Sequence, residues 1–199
     1  NDHWEVASGK VLQGSYGGVR VYNFFINKVL EQIENGTLTE TEEVKNYLGE
    51  AYFFRALNYY NMLAYYGDLP VVTEVLADEN DAIVESSKRT PRNEVARFIL
   101  SDLDKAIEMC YPRATFNGQR VNREAALLMK SRVALFEGTF EKYHRGSGRV
   151  PGDANWPGAK MSYNQGKTFD QEGEVRFFLQ QAMDAAKQVG DQAALIENN

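Results

Sequence analysis

With 199 residues, 43% of them hydrophobic and 25% charged, the chain has the composition of a globular protein long enough to bury a sizeable core. Its net charge of −6 argues against sequence-independent binding to nucleic acid, where lysine and arginine must neutralise phosphates, and no basic run offsets that balance. The one cysteine, Cys110, has no intramolecular disulfide partner, and no apolar run reaches the about 18 residues of a membrane span.

Apolar residues recur at helical spacing in five stretches and strict alternation is nearly absent, so the expected class is all-α. The opening Asn1-Asp2-His3-Trp4 lacks the basic and apolar regions of a signal peptide, which places any export signal or lipid anchor of a parent protein outside this chain. A first helix over roughly 15–35 carries Val19, Tyr22, Ile26, Leu30 and Ile33 on one stripe and ends at Asn35-Gly36, a pair suited to a left-handed C-terminus.

Glu40, Glu42 and Glu43 open a second helix, where negative charge suits the positive end of the dipole. Its stripe holds Val44, Leu48, Ala51, Tyr52, Tyr59 and Met62. From Ala51 to Tyr66 the other face is apolar too, with Phe53, Phe54, Leu57, Tyr60 and Leu63, which predicts packing between the first helix and the third or fourth. The same spacing assigns the remaining aromatics of this run, Tyr65 and Tyr66 included, to core packing rather than to a ring-stacking site. Gly67-Asp68-Leu69-Pro70 stops the helix, and residues 71–90 read as a long polar connection with an extended start at Val71-Val72-Thr73.

Thr90-Pro91 forms an N-cap and first-turn pair for a third helix with Val95, Ile99, Leu103, Ala106, Ile107 and Cys110 inward, Cys110 acting as a small hydrophobe. Asn122 caps a fourth, with Ala126, Met129, Val133, Phe136 and Phe140 on its stripe. Residues 144–170, rich in glycine and asparagine around Trp156, read as an irregular surface loop. A fifth helix over roughly 172–190 carries Val175, Phe178, Leu179, Ala182, Ala186 and Val189. Helix pairs at about 15–66 and 91–143 predict a single domain built as a tetratricopeptide-like helix-hairpin stack with long irregular loops, without a literal repeat of about 34 residues.

Catalytic and ligating signatures are missing. His3 and His144 lie far apart and outside any metal-ligand spacing, and no nucleophile elbow or phosphate-cradling glycine loop occurs, so neither metal nor cofactor is expected. Carboxylates are plentiful, but the acid–base pairing of a glycosidase is spatial and invisible in sequence. Arg55 and Arg132 sit within apolar stretches and require acidic or carbonyl partners. Asp102, inside the stripe of the third helix, is expected to pair with Arg132 or Arg55. Trp4 and Trp156 lie outside every stripe, among polar residues and glycine. Their faces suit the C–H surface of a sugar ring, and a contact that anchors a loop suits them equally.

One long stretch is specific. Glu50-Ala51-Tyr52-Phe53-Phe54-Arg55-Ala56-Leu57-Asn58-Tyr59-Tyr60-Asn61-Met62-Leu63, running into Tyr66-Gly67-Asp68-Leu69-Pro70-Val71-Val72, resembles the SusD/RagB pattern E-A-x-F-x-R-A-x-x-Y-x-x-L followed by F/Y-G-D-V/L-P-L/V. Tyr16-x-x-Val19-x-x-x-Asn23, Asp102-Leu103-x-x-Ala106-Ile107 and Arg120-Val121-Asn122 with Lys130-Ser131-Arg132-Val133-Ala134-Leu135-Phe136 resemble further family motifs in the family's order. The resemblance covers about 16–140 and leaves 144–170 unmatched.

It implies a non-enzymatic protein that captures glycan on the extracellular face of the outer membrane of Bacteroidetes and hands it to a SusC-like TonB-dependent transporter. It also implies a lipid anchor outside this chain and a later half missing from it, so that 1–199 is expected to be a fragment. Within the fragment, the irregular segments are expected to supply ligand contacts, with Trp4 and Trp156 as stacking platforms and Asn155 and Tyr163 as hydroxyl partners. The competing readings are a helical-repeat scaffold binding a peptide or protein and a glycoside hydrolase.

Overall fold

The structure, a computed structural model, describes residues 10–75 and 80–193. Its elements are α1 (Lys10–Glu34), α2 (Glu42–Tyr66), α3 (Asn80–Ser86), α4 (Arg92–Met109), α5 (Arg123–His144) and α6 (Gln171–Gly190), with short 3-10 turns between them. The chain is all-α. α1 lies along α2, α2 along α4, α4 along α5 and α5 along α6, so two helix hairpins stack and α6 continues the row.

Local chemistry sets most of the boundaries. α1 stops where Gly36 takes φ 75°, and the amides of Gly36 and Leu38 turn back to the carbonyls of Ile33 and Gln32. The α2 start is capped by Thr41, whose Oγ1 accepts from the Val44 amide at 3.2 Å, with Glu42 and Glu43 in the first turn. Asn122 caps α5 through a 2.9 Å bond from the Ala125 amide, and Asp170 caps α6 through the Gly173 amide.

α2 is the central element. Leu48, Ala51, Tyr52, Ala56, Tyr59, Met62 and Leu63 are buried, and Phe53, Phe54, Leu57 and Tyr60 are half-buried on its flanks. At Gly49 the helix approaches the end of α4 so closely that a Cβ would stand 2.8 Å from Cys110 Sγ. Cys110 is buried there, and burial pushes its thiol up to about 12, as suits an inert small hydrophobe.

Four expectations are corrected. Residues 71–90 are not a plain connection, because α3 forms within them and Leu69 and Thr90 exchange backbone hydrogen bonds at 3.2 and 3.1 Å. With its backbone engaged there, Thr90 does not cap α4. Pro91 holds the cap position without a side-chain bond, and Asp68 Oδ1 accepts the Arg92 amide at 2.9 Å. Arg132 points to solvent, and Ala186 is exposed whereas Ala185 is buried.

The extended start of 71–90 is held from below. Tyr16 Oη donates to the Pro70 carbonyl, Asn23 Nδ2 to Val72 O at 2.8 Å, and Tyr59 Oη accepts the Val72 amide at 2.8 Å. Asn23 Oδ1 in turn accepts from Arg55 Nη1 at 2.9 Å. The Arg55 guanidinium also binds both oxygens of Asp102, at 2.7 and 2.8 Å, one of the two pairings expected for that acid. A second buried pair, Arg92 with Glu137 at 2.7 Å on both prongs, ties α4 to α5 beneath the ring of Phe140.

Candidate functional site

Residues 145–170 wrap around one buried side chain. The Asp153 carboxylate accepts the amides of Gly146, Gly148 and Val150 at 2.8, 3.0 and 3.3 Å and Nε2 of Gln171 at 2.9 Å. Burial alone would raise the Asp153 carboxyl, but these donors outweigh it and hold the group below the usual carboxylate range.

Trp156 fastens this loop to the helices. It is 3% exposed, its Nε1 donates to Asp68 Oδ2 at 2.7 Å, and its ring meets Phe169 edge to face at 5.1 Å. The stacking platform expected at Trp156 is therefore corrected: its faces are packed, and the loop-anchoring alternative holds. Asp68 joins three pieces of chain, receiving Trp156 on one oxygen and the Arg92 amide on the other. Burial raises its carboxyl against the pull of those bonds.

Trp4 lies outside the described residues. Asn155 is exposed, and Tyr163 is half-buried with its Oη accepting the Arg89 amide at 3.3 Å. Tyr163 lines an open groove of about 480 Å³ between the end of α2, the segment before α4 and the loop, and Trp156 forms part of its wall. Asn155 does not line it.

The groove has two aromatic residues that the periodicity had assigned to the core. Tyr65 is 87% exposed and Tyr66 39%, with ring centroids 6.3 Å apart and tilted by 44°. Their exposure has a geometric cause. Tyr65 falls off the inward face that Tyr59, Met62 and Leu63 define, whereas Tyr66 keeps the phase of that face and is exposed as the last residue of α2, just before Gly67 turns the chain. Asn164 adds a polar group: its Nδ2 donates to the Gly158 carbonyl at 3.0 Å, while its Oδ1, on a residue 6% exposed, has no partner among the described residues.

A larger cavity of about 870 Å³ opens beside α1 and α4. Among its lining residues the buried pair of Arg55 with Asp102 and the exposed pair of Lys28 with Glu31 already bind one another. Buried acid chemistry lies elsewhere again. Glu141 is 1% exposed, neither of its oxygens has a partner among the described residues, and burial beside Glu137 and Glu174 pushes its carboxyl up to about 8. Its position under α4 and α6 gives a substrate no approach. No three metal-binding side chains cluster among the described residues, and no helix there is long and apolar enough to cross a membrane.

Comparison with known proteins agrees with this architecture. Residues 10–135 match the family model for SusD-like proteins, described as starch-binding and associating with the outer membrane. SusD-like protein P2 of Formosa agariphila is 30% identical over 114 residues, which is 56% of this chain and 22% of that protein. A SusD homolog from Bacteroides thetaiotaomicron superposes with a TM-score of 0.63 at 17% identity, covering 96% of this chain and 31% of its own. A SusD-like carbohydrate-binding protein from Bacteroides fragilis gives 0.55 at 20% identity, covering 65% and 24%. The chain thus spans less than a third of the length of each of these relatives. Because the match runs from α1 through most of α5 and includes the residues that interlock those helices, the chain belongs to the SusD-like family.

Proposed function

We propose that this chain is part of a glycan-binding protein of the outer-membrane surface, which captures oligosaccharide and passes it to a SusC-like TonB-dependent transporter without cleaving it. The membership of residues 10–135 in the SusD-like family carries this reading. The fold likeness to a carbohydrate-binding protein of Bacteroides fragilis supports it. Attachment to the membrane through a lipid anchor is part of the same proposal.

Within the chain, the groove offers what a sugar requires. The exposed ring of Tyr65 provides a flat apolar face, and Tyr163 and the free Oδ1 of Asn164 provide hydroxyl partners beside it. Asn155, exposed on the same loop, and Trp4 are further proposed glycan contacts.

Titration of the full chain with a panel of oligosaccharides by calorimetry tests the reading, with chromatography of each mixture for products. Saturable binding that Tyr65→Ala weakens about tenfold, with the sugars recovered intact, is the expected result. Shortened sugars would identify a hydrolase. Binding unaffected by Tyr65→Ala would move the site out of the groove.

A further inference from the structure

The groove carries a charge pattern that a neutral sugar does not require. Five arginines are answered by carboxylates: Arg55 by Asp102, Arg92 by Glu137, Arg97 by Glu174, Arg120 by Glu50 and Arg145 by Glu172. Arg89 and Arg149 both line the groove, both are exposed, and neither makes an ion pair among the described residues. The acid that shares the groove with them, Asp68, accepts the Arg92 amide and the Trp156 indole on its two oxygens; it feels the charge of Arg89 but forms an ion pair with neither guanidinium among the described residues.

Two cations from separate segments thus face one opening in a protein whose net charge is −6. Guanidinium groups bind carboxylate and sulfate oxygens through paired N–H donors, a geometry that a hydroxyl group cannot match. The aromatic face of Tyr65 lies in the same groove, so the anion and a sugar ring can be held together. The buried, unpartnered Oδ1 of Asn164 supplies an acceptor for a neighbouring hydroxyl, which a bare inorganic anion would leave unused.

We propose that the groove selects a sugar bearing a carboxylate or a sulfate ester, held by Arg89 and Arg149 with its ring on Tyr65 and a hydroxyl on Asn164. The proposal rests on the glycan reading and narrows it to acidic saccharides. The negative charge of the rest of the surface would then act against loose capture of polyanions elsewhere, leaving this groove as the place where they dock.

The test compares matched probes by calorimetry on the full chain: a galacturonic acid hexamer against its methyl ester, and a sulfated galactan hexasaccharide against its desulfated form. At least one charged probe should bind about tenfold or more tightly than its neutral partner, and that preference should shrink with added salt. Arg89→Gln and Arg149→Gln should each remove most of it, whereas Arg132→Gln, an exposed arginine on α5, should not. The two pairs distinguish a uronate from a sulfate ester. Equal binding of charged and neutral probes would overturn the proposal and leave the glycan reading standing, and a charge preference that survives both substitutions would overturn it too. Failure of every probe, charged and neutral, would remove both.

Discussion

Glu141 is the residue whose environment makes the sharpest demand on stability. It lies one turn after Glu137 on α5, fully buried, with Glu174 of α6 also acting against its charge and the one nearby cation, Arg92, committed to Glu137. Its carboxyl is pushed from 4.5 up to about 8, so the folded protein retains a proton that the unfolded chain has released. Stability therefore falls as pH rises between those values, by about 1.4 kcal/mol for each pH step, and levels off above the upper one. At pH 7 the cost reaches at most roughly 3 kcal/mol. Glu141→Gln mimics the protonated acid without that cost. Urea unfolding from pH 5 to 8 should show the variant more stable by under ~1 kcal/mol at pH 5 and by ~2–3 kcal/mol at pH 7. Titrations common to both proteins cancel in the difference. A difference that stays flat with pH, or a wild type more stable throughout, would show that Glu141 is ionised in place and that its partners have been misjudged.

Asp68→Ala should cost about 2–4 kcal/mol in urea unfolding, because it leaves the Arg92 amide and the Trp156 indole without their acceptor. It should also shift the Trp156 emission to the red. A loss below about 0.5 kcal/mol with unchanged emission would mean that the loop is held by other contacts. Gly49→Ala should lower stability by about 1–3 kcal/mol through the 2.8 Å approach of its Cβ to Cys110 Sγ. Adding Cys110→Ala should restore part of that loss, and strictly additive losses in the double variant would refute the thiol as the obstacle and leave the Cys110 backbone nitrogen and Met109 Cβ, each 3.0 Å from the added Cβ.

The helices are legible in the sequence because their signals are local. Asn122 and Asn35-Gly36 act within a few residues of themselves, and the stripe Ala126, Met129, Val133 needs only the helical period. What the sequence hides is supplied from a distance. The amide at the start of α4 is satisfied by Asp68, 24 residues earlier, so Thr90 is released for a bridge to Leu69 that no propensity announces. Arg132 and Arg92 show the same limit. Arg132 lies in an apolar run yet faces water, whereas Arg92, which reads as a first-turn residue, is buried against Glu137 because α5 lies beneath it.

At the candidate site, composition singled out the loop over 144–170 and misjudged the direction of its largest ring. Trp156 stands among glycine, asparagine and aspartate, as an exposed platform would, but Asp68 and Phe169 enclose it. Tyr65 and Tyr66 err in the opposite sense. Their place in a dense aromatic run suggested core; phase could have separated Tyr65, which falls off the face shared by Tyr59, Met62 and Leu63, whereas Tyr66 keeps that phase and is exposed by its place at the end of α2. Arg89 and Arg149 carried no signal at all, because an unpaired guanidinium becomes informative only once a groove brings two of them together.

The placement of the family motifs explains how the resemblance can be specific about fold and silent about ligand. Tyr16, Asn23, Arg55 and Asp102 all work inside the protein, clipping the segment after Pro70 to α1 and locking α2 to α4. None of them lines the groove. Exchanging any of these four would leave buried donors or a buried charge without a partner, a loss that acts on stability whichever sugar is bound. The groove is instead built from Tyr65, Arg89, Arg149 and Tyr163, positions free to change with little effect on the core. Asp68 connects the two levels: it belongs to the Gly-Asp-Leu-Pro motif, yet its second oxygen positions Trp156 and with it the loop wall. The framework thus determines where a groove forms, and the residues that line it determine what the groove holds.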